Sequence, residues 1–398
     1  MGQSARHHRQ AHVPVNVQEC KHDTNPGQHP PHLPLTKPPP LPTMPPSTIH
    51  ILGLGNLGKL LAHSLRKHHP QLPITLLFHR ASLVDEWKRA GQGIEIVRAG
   101  VCERQSGFGY EEIGAGGVGG GGRIEQLIVA TKTHATVRAL GGVRERVGGG
   151  CTVLFLQNGM GTIDEVNTQI FPDETTRPNY LAGIFNHGVY ATSTFSSVHA
   201  GIADAVIGPV VSSPSLPSST GKPVPDTSTP STLAHLISSC PNLSTTLIPA
   251  SALLPAQLQK LTINAVINPL TLLFSCKNGK LFSETEIIPL IDRLVAEISN
   301  IILAILADQA APPTPTTTTP SHLRTLVYAV GAKTAENTSS MRQDRLAGRV
   351  TEIDYINGYL VGQARRLGVP SPLNERIVGL VKEGGQVGVR EIGGVFGV

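Results

Sequence analysis

Residues 48–69, TIHILGLGNLGKLLAHSLRKHH, constrain the fold of this chain more tightly than any other stretch. Ile49, Ile51 and Leu52 form a short apolar run leading straight into Gly53, Gly55 and Gly58, after which Leu57, Leu60, Leu61 and Leu65 recur at helical spacing. A strand before and a helix after are what a G-x-G-x-x-G turn needs in order to hold a dinucleotide. Gly53 makes the turn, Gly55 lets the backbone approach a pyrophosphate, and Gly58 lets the helix pack on the strand. The free amides of the first helical turn then face the phosphates. Gly53, Leu54, Gly55, Asn56, Leu57 and Gly58 are accordingly the first candidate cofactor-binding residues.

The next apolar strand, ITLLFHR at 74–80, ends where such a fold tests the adenosine ribose. An NAD-binding chain usually places an acid there to hold the 2′-hydroxyl; here His79 and Arg80 stand instead, with no acid before Asp85, which favours NADPH. IEQLIVATKT at 124–133 carries Lys132 at its end, and CTVLFLQNGMG at 151–161 carries Asn158. Strand C-termini are where open α/β sheets bind ligands, so both are candidates. YLAGIFNHGVYAT (180–192) and VHAGIADAVIG (198–208) read as two further strands flanking a turn.

Composition sets the outer bounds. A chain of 398 residues with 39% hydrophobic content can bury one or two sizeable cores. The longest apolar stretch, ISNIILAILA at 298–307, is interrupted by Ser299 and Asn300 and falls short of the ~18 residues of a membrane span. Cys20, Cys102, Cys151, Cys240 and Cys276 are odd in number and scattered, which argues against a disulfide framework or zinc site and for a reducing compartment. Of the formal charge of +5, residues 1–49 supply +2, leaving too thin a positive excess for nucleic acid but one that suits anionic ligands.

Residues 1–47 are rich in Pro and His without helical or strand period and read as a disordered tail. Arg6 and Arg9 with few early acids make mitochondrial targeting the lesser alternative to a cytoplasmic protein. The glycine-rich GAGGVGGGG marks an insertion over about 105–123, with no strand leading into it. A Ser/Pro/Thr-rich run over about 209–232 and PPTPTTTTP within about 310–320 read as a second insertion and a linker.

Beyond residue 250 the pattern turns helical. Lys260, Asn264 and Asn268, four apart, form a polar stripe along one face of an otherwise apolar helix, so they line a cleft rather than face bulk water. Pro269 is expected to kink or end that helix. Ser283 and Glu286 have capping-box spacing before SETEIIPLIDRLVAEISNIILAILAD, Ser321 is expected to cap HLRTLVYAVGAKTAEN, and Ser340 with Gln343 repeats the box, so Ser340 is either a cap or a ligand group. Glu352 is read as opening the helix EIDYINGYLVGQARRLG, which Gly368 terminates.

The ordered set GLGNLG (53–58), TKT (131–133), QNGMGT (157–162), KLTINAVINPL with Asn278 and Gly279 after it, and ENTSSMRQD followed by TEIDYINGYL (336–360) resembles ketopantoate reductase, the 2-dehydropantoate 2-reductase family, over roughly residues 49–385. The resemblance implies an α/β fold, with a Rossmann-type domain at 48–250 and a mostly helical substrate and catalytic domain at 251–398. It implies NADPH-dependent reduction of 2-dehydropantoate to (R)-pantoate, a step toward coenzyme A. Lys260 and Glu352 would be catalytic. Lys260 would supply a proton and stabilise the forming alkoxide, while Glu352 would orient the ammonium and hold the cofactor side. Arg80, Lys132, Asn158 and Glu352 would face the cofactor, with Val189 near a backbone contact. Asn264, Asn268, Asn278 and Ser340 would meet the substrate beside Lys260. Another 2-keto acid and a non-catalytic NADPH sensor remain as alternatives, though a sensor would be signalled by loss of the lysine or the acid and both are present. No metal, nucleic acid or membrane is expected; a homodimer is compatible with the reading.

Overall fold

The buried β1 (Ile49–Leu52) is the axis of the main sheet because all four of its residues are shielded on both faces. In the computed structural model, which describes residues 47–114, 121–211, 231–309 and 319–397, it is followed by α1 (Asn56–His68), β2 (Ile74–Phe78), α2 (Ala81–Arg89), β3 (Ile94–Arg98), β4 (Val101–Gln105), β5 (Gly109–Glu112), β6 (Gln126–Val129), α3 (Thr133–Gly141), β7 (Thr152–Phe155) and α4 (Thr162–Gln169). Then come β8 (Asn179–Phe185), β9 (Gly188–Ser193), β10 (Ser196–Gly201), β11 (Ala205–Pro209), α5 (Thr232–Ser238) and β12 (Thr245–Leu247). The main sheet has the order β12-β11-β8-β7-β6-β1-β2-β5, parallel from β8 to β5, with β11 antiparallel to β8. Its register aligns Leu52 with Leu77 and Val129, which brings Gly53, Ala130 and Leu156 to one rim. Apolar clusters cover both faces, as a parallel sheet requires.

Two expectations about this half are corrected. The stretch read as an insertion over about 105–123 contains β5, which pairs with β2 from Thr75–Gly109 to Phe78–Glu112; only residues 115–120 lie outside the described part. Aromatic packing holds it there: Phe108 and Tyr110 stack edge-on against Trp87 and Phe78. The two strands read over 180–208 are four. β8 and β11 stay in the main sheet, while β9 and β10 leave it for a second sheet of order β4-β3-β10-β9. The buried Lys59 of α1 secures that departure, its Nζ donating to the carbonyls of Ser193, Thr194 and Ser196 at 3.1, 3.3 and 3.1 Å. The tail apart from Ser47, most of the 209–232 run and residues 310–318 of the linker lie outside the described residues.

The helical half comprises α6 (Ala250–Leu273), α7 (Lys280–Ser283), α8 (Ile288–Asp308), α9 (Pro320–Lys333), α10 (Ser340–Leu346), α11 (Asn357–Leu367), α12 (Pro372–Lys382) and α13 (Ile392–Phe396) around a third apolar cluster. α6 runs unbroken through Pro269. The proline removes the amide that would bond Ala265 O, and Asn357 Nδ2 donates to that carbonyl instead at 2.9 Å, so the helix pays no buried unsatisfied acceptor. The cap assignments shift. Ser283 ends α7, and α8 starts without a side-chain cap once the buried Ile287 and Leu290 set its path. Thr319, not Ser321, caps α9, placing Pro320 at the first helical position. Ser339, not Ser340, caps α10, accepting from Arg342 N at 3.2 Å. Glu352 precedes a 3₁₀ turn at Ile353–Tyr355 rather than opening α11, and Gly368, at φ +69°, ends α11 as expected. No helix of the described residues is long and apolar enough to cross a membrane.

Buried histidines couple this fold to pH. His63 on α1 and His199 on β10 are pushed down to about 4, in both cases chiefly by burial, so the folded protein holds them neutral. An unfolded histidine titrates near ~6.5. The stability that comes from neutrality is therefore complete above that value and is lost as pH falls from about 6.5 toward 4. Urea midpoints are expected to drop steadily between pH 7 and 5, before most carboxylates titrate, and His199→Gln should flatten the slope; equal midpoints at both pH values would contradict this.

Candidate active site

The glycine turn is built as a dinucleotide site requires. Gly53 has φ +96°, and a Cβ there would come within 2.6 Å of Thr131 N; a Cβ on Gly58 would meet Gly53 O at 2.1 Å. Gly55 is different: only Ala130 O, at 3.6 Å, lies near its missing Cβ, so no protein neighbour requires a glycine and the open space fits an approaching phosphate. α1 starts at Asn56 with no side-chain cap and no acid in its first turn, leaving its amides for an anion. The side chain of Asn56 donates to Val189 O at 3.0 Å and is thereby turned toward the second sheet.

At the rim end of β2, Arg80 is exposed, caps α2 by its backbone alone, and makes no ion pair among the described residues. His79 beside it is lowered by burial and then by Arg80 and Arg138, which places a second cation, Arg138 of α3, at the same strand end. Nothing in the local pattern of α3 marks Arg138; only the sheet brings it there.

Glu352 closes the rim between the two halves. It is 5% exposed; Oε1 accepts from Thr133 N at 3.2 Å and Thr133 Oγ1 at 2.8 Å, and Oε2 lies 3.5 Å from Asn158 Nδ2 and 3.8 Å from Lys132 Nζ. Lys132 pairs at 2.8 Å with the buried Asp344, which Arg349 also contacts at 2.9 Å. Lys132, Asn158 and Glu352 are thus brought together, with Asp344 as a fourth member that the sequence did not suggest. Gly159, at φ +79°, lets the loop after β7 dock on the turn that follows Glu352, where Met160 N donates to Tyr355 O at 2.8 Å.

Lys260 departs from one expectation. Glu352 does not orient it: the carboxylate is spent on Thr133, Asn158 and Lys132, whereas Lys260 Nζ donates to Asn186 Oδ1 at 2.8 Å. Burial lowers the Lys260 pKa to about 8. The lysine borders a cavity of about 790 Å³ shared with Gln157, Asn158, Met160, Phe185 and Leu254. One and two turns further along α6, Asn264 and Asn268 are each 7% exposed, and neither side-chain amide has a hydrogen-bond partner among the described residues. Their amide atoms nonetheless keep some solvent contact, so they are available to a ligand or to water.

Asn278 stands apart from this face. It lies past the C-terminal end of α6, which is about 20 Å from Lys260 along the helix; its Nδ2 is committed to Thr334 Oγ1 at 2.9 Å, and its Oδ1 is buried without a partner. Ser340 is exposed at the start of α10. Because Ser339 takes the capping role and accepts from Thr271 Oγ1 at 2.7 Å, the Ser340 hydroxyl is left without a partner among the described residues.

A Rossmann-type sheet with an obligate glycine turn, closed by a buried carboxylate onto a helical half that presents a lysine of lowered pKa, defines a two-part oxidoreductase of the nicotinamide-dinucleotide class. The chain belongs to the ketopantoate reductase PanE/ApbA family: residues 49–212 match its N-terminal domain and 252–385 its C-terminal domain. It is 30% identical to a probable 2-dehydropantoate 2-reductase of Schizosaccharomyces pombe over 84% of this chain and 96% of that protein. It is 29% identical to a ketoisovalerate reductase of Beauveria bassiana, covering 87% of this chain and 84% of that one. The fold is shared with D-mandelate dehydrogenase in its ternary structure with NADH and anilino(oxo)acetate, with a TM-score of 0.67 at 18% identity over 85% of this chain and 98% of that chain.

Proposed function

We propose that the protein reduces 2-dehydropantoate to pantoate with NADPH. The observation that carries this reading is the face of α6, where Lys260, with its pKa lowered to about 8, is followed by Asn264 and Asn268, largely buried residues whose side-chain amides have no hydrogen-bond partner among the described residues and keep some solvent contact. NADPH, when bound, supplies the hydride. As negative charge grows on the keto oxygen, Lys260 stabilises it and delivers a proton, which an ammonium near neutrality does well. Asn264 and Asn268 offer donors to the substrate's carboxylate and hydroxyl, and Ser340 adds an uncommitted hydroxyl. Glu352 holds the rim of the cofactor site by bonding the first turn of α3 together with Asn158.

A second reading is favoured by the ketoisovalerate reductases among the relatives at comparable identity. That substrate has the same keto-acid head and lacks the tail hydroxyl, so the α6 face serves either. The test is kcat/KM for NADPH oxidation with 2-dehydropantoate and 2-ketoisovalerate side by side. The first is expected to be preferred; a preference for the second would move the assignment to the other branch, and no turnover of either with tight NADPH binding would point to a sensor.

A further inference from the structure

The connector between β8 and β9 consists of Asn186 and His187, and it is held from three sides. His187 Nε2 donates to Leu243 O at 2.9 Å, while its Nδ1 accepts from Ala203 N at 3.3 Å and from His199 Nε2 at 3.1 Å. Arg98 donates to His199 Nδ1 at 3.0 Å, which fixes both imidazoles in the neutral Nε2–H form. Two residues on, Val189 O accepts from Asn56 of the glycine turn. The backbone that carries Asn186 is therefore fastened to the cofactor turn, and from it the Asn186 side chain reaches the lysine of α6 across 74 positions of sequence. An ammonium has only donors, so the amide must present its oxygen to it.

We propose that Asn186 is a positioning residue for Lys260: its side-chain carbonyl holds the ammonium at a fixed distance from the cofactor turn and, being neutral, does so without locking it in the charged form as a carboxylate would. This rests on the reading of Lys260 as the proton donor. The surroundings agree with it. The titratable groups that share the cavity with Lys260 are Asp164, Glu174 and Arg177 on the α4 side, Asp308 from α8, and Tyr359 and Arg366 from α11, and none of them forms an ion pair with it. Glu352 and Asp344 are engaged by Lys132, and His187 by its backbone partners and His199. Burial alone lowers the Lys260 pKa, and among the described residues a neutral oxygen is its one polar partner. Replacing that oxygen by a carboxylate would stabilise the charged form, and removing it would destabilise the charged form further.

The test uses the full-length protein with single-turnover hydride transfer from NADPH to 2-dehydropantoate, followed across about pH 6 to 10, where a lysine of lowered pKa titrates. In the unmodified protein the rate should fall on the alkaline side near the Lys260 pKa of about 8. Asn186→Ala is expected to slow the step about tenfold at neutral pH and move the alkaline fall to lower pH, and Asn186→Asp is expected to move it up by about one unit or more. The NADPH dissociation constant should be unchanged in both. An alkaline fall at the same pH in both variants would overturn the proposal even if rates dropped, because a folding defect scales the profile without moving it. Lys260→Ala run in parallel separates the two levels: a retained rate there sinks the proton-donor reading itself, whereas a lost rate there with unmoved Asn186 profiles sinks only the role of Asn186.

Discussion

Lys260→Ala is expected to lower kcat for keto-acid reduction by about 10² to 10⁴, the range for a positioned general acid that also faces the developing charge. The size follows from what replaces the lysine. Asn264 and Asn268 are neutral and lie further along α6, Lys132 is held by Asp344 and Glu352, and the other cations lining the cavity, Arg177 and Arg366, are paired with Glu174 and Asp308. Water entering that space can donate a proton but carries no charge to stabilise an alkoxide. NADPH affinity should change little, because the glycine turn and the β2 rim belong to the other half of the protein. Glu352→Gln should cost less: the amide keeps the shape and one acceptor for Thr133, and it loses the charge opposite Lys132 and the acceptor for Asn158 Nδ2. Steady-state kinetics with cofactor titration on the same samples decides the matter. Near-normal kcat in Lys260→Ala would mean that the lysine is merely a half-buried helix residue bonded to Asn186.

The parts of this site legible in the sequence are those written in local periodicity. A strand, three glycines and a leucine repeat specify the turn within about twenty residues, and a spacing of four specifies which face of α6 carries Lys260, Asn264 and Asn268. What escaped the sequence is set by contacts between distant segments. Asp344 meets Lys132 across 212 positions, and Asn186 meets Lys260 across 74, so neither pair leaves a pattern in any window. The continuity of α6 past Pro269 has the same origin, since Asn357, 92 positions away, supplies the missing donor. The caps of α9 and α10 failed by one or two residues because Ser and Thr are crowded at each start: TTTTPS at α9 and TSS at α10 offer several hydroxyls, and only packing selects Thr319 and Ser339. Selecting Ser339 leaves the Ser340 hydroxyl without a hydrogen-bond partner among the described residues. β5 was hidden by the glycine run after it, and its one-sided pairing at the sheet edge shows no alternation strong enough to read.

Arg80 carries the second large effect. The unmodified protein is expected to bind NADPH well ahead of NADH, and Arg80→Ala should weaken NADPH binding by about 1.5 to 3 kcal/mol, roughly 10- to 150-fold, while leaving NADH almost unchanged. The physical basis is the rim end of β2, where a 2′-phosphate would sit. His79 and Arg80 stand there, the first acid is Asp85, and Arg138 approaches from α3 closely enough to depress the His79 pKa. The segment that follows β2 has no acid before Asp85 to accept a ribose 2′-hydroxyl, so NADH gains nothing from it that would offset the absent phosphate contact. Arg80 makes no ion pair among the described residues and is free to give its guanidinium to a phosphate. Because it is exposed, the contact is screened, and the preference should shrink as ionic strength rises. Arg138→Ala should cost less than Arg80→Ala, since it acts from the neighbouring helix. Dissociation constants for both cofactors, measured by fluorescence titration at low and high salt, test each step. Equal constants for NADPH and NADH in the unmodified protein would remove Arg80 from the cofactor site and, with it, the reason for assigning the phosphorylated cofactor.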